Sequence, residues 1–151
     1  MQRTYLTRHF TLEELTRSQL ASAFRLHNQP DRDALACLLM LACKLEEVRT
    51  LLGNEPIHII SAYRSESVNR AAGGVANSSH LYGLAADFVV PSFGSVFEVC
   101  KAIEASSIAF DQLIYEQGNT EWVHLGIGEK MCRQVLSWRI GKGSKEGIIN
   151  L

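Results

Sequence analysis

The sequence predicts an α+β domain: a small antiparallel sheet with a terminal hairpin, packed against N-terminal and crossover helices. Three observations carry this. Helical apolar periodicity is grouped early in the chain, and short β-branched runs dominate later. "DQLIYE" and "EWVHLGI" flank the turn-forming "QGNT", as in an antiparallel hairpin. Helices early and strands late do not fit the strict alternation of a doubly wound sheet.

In chain order, Thr11 and Glu14 form a capping box that opens "LEELTRSQL", a short amphipathic helix with Leu12, Leu15 and Leu20 on its apolar side. After Pro30, "DRDALACLLMLACKLEEVRTLLG" starts with Asp31 and Asp33, where the helix dipole favours acids, and stops at Gly53. Its Ala/Leu richness predicts burial on more than one face. "IHIIS" at 57–61 is a strand, "ESVNRAA" one or two helical turns ended by Gly73 and Gly74, and "LAADFVV" a second strand. Ser95 caps the helix "VFEVCKAIEAS", which turns Val96, Val99, Cys100 and Ile103 inward, and the hairpin follows. "RQVLSWRI" suits either a strand or a helix.

The 151 residues, 46% hydrophobic, suit one globular domain over 1–151, expected to be a monomer. Fifteen Lys plus Arg against 16 Asp plus Glu give a net charge of -1, so no basic face invites nucleic acid. The longest apolar run, "ALACLLMLAC", is too short to span a bilayer. "MQRTYLTRHF" lacks the apolar core of a secretory signal, so synthesis in the cytoplasm is expected. Cys37, Cys43, Cys100 and Cys132 form no C-x-x-C pair and read as small buried hydrophobes in a reduced protein.

The chemistry concentrates in "SSHLYGLAADF" at 78–88 and "TEWVH" at 120–124. Catalytic zinc takes three imidazole or carboxylate ligands and keeps a fourth position for water, and His80, Asp87 and His124 supply such a set. Gly83 permits a tight turn, and Ala85 and Ala86 leave space beside an ion. Asp87 lies in an apolar run with no cation near it in sequence, and a divalent ion would compensate its charge. Arg64 follows Tyr63 in a loop; it can offer its guanidinium to a carbonyl or oxyanion, or pair with Glu66 or cap the next helix. Tyr63, Asn69 and Tyr82 can line a cleft or simply pack, and His9, His27 and His58 stand outside the site.

"SAYRSESVNRAAGG", "SSHLYGLAADF", "FDQLIYE" and "EWVHLGIG" together resemble the M15 family of zinc peptidases, the D-Ala-D-Ala carboxypeptidase group, in its compact phage and bacterial form. The likeness runs from "HFTLEEL" to "RQVL", and S-x-H-x-x-G-x-A-x-D is its specific part. The resemblance implies the D-Ala-D-Ala carboxypeptidase/hedgehog-like fold. It implies Zn2+ on His80, Asp87 and His124, and Ser78 and Arg64 beside the substrate. It further implies cleavage of peptidoglycan stem peptides at a bond involving D-amino acids, by carboxypeptidase or endolysin-type endopeptidase action, through attack of a metal-bound hydroxide.

A carboxylate must move the proton, and two are offered. Glu121 matches the E-x-x-H spacing of the dipeptidase branch, whereas Glu116 ends "QLIYE", where compact members also carry a glutamate. Regular strand alternation favours Glu116, and a bulge at 120–122 would restore Glu121. A different class of reading makes the domain a non-catalytic wall-binding or virion module with a structural zinc. A serine or cysteine hydrolase fits poorly, for neither G-x-S-x-G nor S-x-x-K occurs. Action on the cell wall without a signal would require release through a holin, or a place in a virion.

Overall fold

The computed structural model describes residues 2–151. The chain forms two compact units interleaved in sequence: the first runs to Glu46 and resumes over Ser61–Ala86, and the second comprises Glu47–Ile60 and Asp87–Leu151.

The first unit holds α1 (Leu12–Thr16), α2 (Gln19–Phe24), most of α3 (Arg32–Leu51), α4 (Glu66–Ala71) and a 3-10 turn at Ser79–Tyr82. The expected single helix "LEELTRSQL" is two helices. Arg17 turns extended, and the Ser18 hydroxyl accepts the Ala21 N–H at 3.1 Å to start α2; a serine inside a helical pattern competes for backbone donors in this way. Asp31 starts α3 by accepting the Ala34 N–H at 2.8 Å. The expectation that α3 is buried on more than one face is corrected. Ala34, Leu38, Leu41, Ala42, Leu45 and Val48 are buried at helical spacing, while Leu39 and Met40 are 45% and 55% exposed.

Gly83 ends the 3-10 turn at φ +72, and a Cβ there would lie 2.7 Å from the Ala34 carbonyl oxygen. Gly83→Ala is therefore expected to cost roughly 2–5 kcal/mol, strain and overpacking combined. Urea titration should show a lower midpoint at unchanged slope, and a loss under about 1 kcal/mol would contradict the tight approach.

The second unit holds most of a six-stranded sheet, whose order is β1-β2-β4-β3-β5-β6. Its strands are β1 (His58–Ser61), β2 (Ala85–Val89), β3 (Gln112–Gln117), β4 (Glu121–Gly126), β5 (Gln134–Arg139) and β6 (Gly143–Glu146). The β3–β4 hairpin is antiparallel as expected, but the sheet is mixed, because β5 runs parallel to β3. The reason is the path of the loop. Gly126 pairs with Gln112 on one side and Gln134 pairs with it on the other, so residues 127–133 carry the chain over the start of β3. "RQVLSWRI" thus resolves as a strand, and β6 follows it through Gly141 and Gly143, both at positive φ.

A capping box of Ser95 and Glu98 opens α5 (Val96–Ala105), which buries Val99, Cys100 and Ile103. Phe97 meets Tyr115 edge-on at 5.8 Å. Arg133 fixes the passage from α5 to β3. Its guanidinium lies 4.4 Å over the Phe110 ring and donates to the carbonyls of Ile108, Glu104 and Ser106. The reading of all four cysteines as buried is also corrected: Cys100 is buried, Cys37 half-buried, and Cys43 and Cys132 are exposed. Among the described residues no helix is long and apolar enough to cross a membrane.

Candidate metal centre

His80 is set by local backbone chemistry. The Ser78 hydroxyl accepts the His80 N–H at 3.3 Å and caps the 3-10 turn, and the Arg64 N–H donates to the His80 carbonyl at 3.0 Å. His80 is 3% exposed, with its Nδ1 2.7 Å from the Ala62 carbonyl oxygen. A carbonyl only accepts, so Nδ1 carries the proton and Nε2 presents the lone pair, the arrangement a metal-ligating histidine needs.

Asp87 sits in β2 among buried Ala85, Ala86 and Phe88 and is itself 6% exposed. Its Oδ1 lies 2.9 Å from His124 Nδ1 on β4. Ligand atoms of His80, Asp87 and His124 all lie within 4.8 Å of one another. Bonds of about 2.0–2.2 Å in tetrahedral geometry space zinc ligands roughly 3.3–3.6 Å apart, a separation these distances bracket. Two imidazoles and one carboxylate, mostly shielded from water, are a donor set that fits a divalent ion of this kind.

The register of the hairpin separates the two glutamates. It runs unbroken from Gln112↔Gly126 to Gln117↔Glu121, with no bulge. Ile114 pairs with His124 and Glu116 with Trp122, so Glu116 shares His124's face of the sheet. Glu121 pairs with Gln117 and lies on the opposite face, with Tyr115 and Val123. There it is engaged by the Tyr115 hydroxyl; burial first, then this bond and the Glu121 charge, push the phenol far above its ordinary range. Cys100 on α5 is pushed up by burial and then by the charges of Glu104 and Glu121.

Arg64 donates from Nε to the Ser61 hydroxyl at 3.0 Å, while Ser65 performs the capping of α4. The loop bearing both is stapled by Asn28, which donates to the Thr16 and Tyr63 carbonyls and accepts the Ser65 N–H at 2.7 Å. Tyr63 is 8% exposed, and burial followed by the Asp31 charge raises its phenol. His9 pairs with Glu46 at 2.8 Å, and His27 and His58 are exposed.

Trp122 and Trp138, both half-buried, are the register partners of Glu116 on its two neighbouring strands. Nothing in the linear sequence marks them out. Period-2 alternation in "EWVHLG" and "QVLSWR" places each on a face, but only the pairing with β3 brings both beside Glu116.

The family model described as Peptidase M15 matches residues 8–126. The chain is also similar to the zinc D-Ala-D-Ala carboxypeptidase of Streptomyces albus G, 39% identical over 61 residues, which is 40% of this chain and 24% of that protein. The match therefore spans about a quarter of the relative's length.

Proposed function

This chain belongs to the M15 peptidase family, and from that premise we propose that it is a zinc-dependent peptidase acting on peptidoglycan stem peptides, at a bond involving a D-amino acid. The observation that carries the reading is the convergence of His80, Asp87 and His124 within 4.8 Å, with Glu116 on His124's face of the hairpin. The name of the Streptomyces relative supports the substrate class.

His80 through Nε2, Asp87 through its carboxylate and His124 through Nδ1 would hold the ion. Zinc so held lowers the pKa of a coordinated water toward about 7 and polarises a carbonyl oxygen. Glu116, on His124's face of the hairpin, would take the proton from the attacking water and return it to the leaving amine, whereas Glu121 stands on the opposite face. Arg64, on the loop stapled by Asn28, would offer its guanidinium to the charge that develops on the scissile carbonyl oxygen. Tyr63 and Ser78 line the substrate side; the Ser78 hydroxyl accepts from the His80 N–H and keeps its proton to donate.

Digestion of purified cell wall, followed by mass spectrometry of the released fragments, tests the reading. A chelator is expected to stop release of D-Ala or a cross-link fragment, and added zinc to restore it. Equal release with and without chelator would end the claim. Stoichiometric zinc with no release from any wall preparation would favour a non-catalytic module instead.

A further inference from the structure

Asn69 on α4 is 4% exposed, and its Oδ1 is buried with no hydrogen-bond partner. Leaving such an acceptor unpaired is destabilising, and an apolar side chain of similar volume would avoid that. What the amide provides is a donor. Nδ2 bonds the Val75 carbonyl at 2.9 Å, and that same carbonyl accepts the Ser78 N–H at 3.1 Å. The Asn69 carbonyl in turn accepts the Gly74 N–H at 2.9 Å. The chain of contacts then runs from Ser78, which caps the 3-10 turn, to His80, whose ring is held by Ala62.

Gly74 is shaped around this side chain. A Cβ at Gly74 would lie 2.1 Å from Asn69 Oδ1, and Gly74, unlike Gly73, is not at positive φ. The carboxamide, not the backbone conformation, is what excludes a side chain there.

We propose that Asn69 is a positioning residue for the metal ligand His80: through Val75 and Ser78 it sets the turn that aims the imidazole. The proposal rests on the reading of His80, Asp87 and His124 as a metal site. It does not depend on which bond the enzyme cuts.

The test is a set of variants read by zinc affinity, in competition with a chromophoric chelator, and by the visible absorption of the cobalt-loaded protein. Asn69→Asp keeps the shape but cannot donate to Val75, and Asn69→Ala removes both shape and donor. Each is expected to weaken zinc binding about 10- to 100-fold, the usual cost of losing support behind a ligand, and to alter the cobalt bands. Gly74→Ala, which leaves Asn69 in place, should do the same by displacing the carboxamide. Added to Asn69→Ala, it should have little further effect, because its methyl enters vacated space.

Circular dichroism at the assay temperature identifies the folded variants. Should Asn69→Asp and Gly74→Ala bind zinc and cobalt as the parent does while merely melting earlier, Asn69 is a packing residue and the proposal fails. Should the parent protein itself bind no zinc, the metal site falls and takes this inference with it, an outcome distinguishable from the first.

Discussion

Asp87→Ala is expected to abolish stoichiometric zinc binding and to lower hydrolysis of wall peptides by more than about 100-fold. Loss of a group that only supports a ligand costs 10- to 100-fold in metal affinity, so loss of a ligand itself should exceed that range. Asp87 is also the sole carboxylate of the ligand group, the donor that offsets the ion's charge. The measurement need not involve activity. Zinc at a hundred times its dissociation constant stabilises a protein that binds it by about 2.7 kcal/mol. In a chain of 151 residues that is a rise in melting temperature of roughly 5–10 °C. The parent should show this rise and Asp87→Ala should not. An equal rise in both would place the zinc elsewhere.

Glu116→Gln is expected to keep zinc and fold but lose about 10²- to 10⁴-fold in kcat, the span that a positioned proton-transfer group supplies. Glu121→Gln should stay within about tenfold of the parent, since an amide oxygen can still accept from the Tyr115 hydroxyl. The pair is decisive because both residues lie in one hairpin and both changes remove a single charge. If Glu121→Gln shows the large loss and Glu116→Gln the small one, the regular register does not describe the working site. Zinc content, measured on both variants, separates a lost proton carrier from a lost metal.

Much of this was legible in the sequence where local chemistry decides the outcome. The cap at Ser95 marked the start of α5, and the acids at the start of α3 marked its first turn. The three side chains that converge on the candidate metal site were legible by type and spacing, because a carboxylate buried in an apolar strand needs compensation that its neighbours in the chain do not offer. Long-range pairing was not legible. "GSKE" has little strand propensity and becomes β6 because β5 supplies a partner across a glycine turn. The parallel course of β5 depends on where residues 127–133 cross, which no period in the sequence encodes. Which face of the hairpin Glu116 and Glu121 each take depended on its register, since a slip of one residue exchanges the faces of a strand.

The interleaving of the two units bears on how this chain is made. The first unit needs Ser61–Ala86, so nascent chain emerging from a ribosome cannot close it until residue 86 is out, long after α1–α3 have appeared. The second begins at Glu47 but must await the strands after Asp87. No single cut liberates either as a continuous segment, and a prematurely stopped product would carry the apolar side of α3 without the residues that complete its unit. Quality control in the cell would meet such fragments as sticky, unfinished polypeptide rather than as half an enzyme.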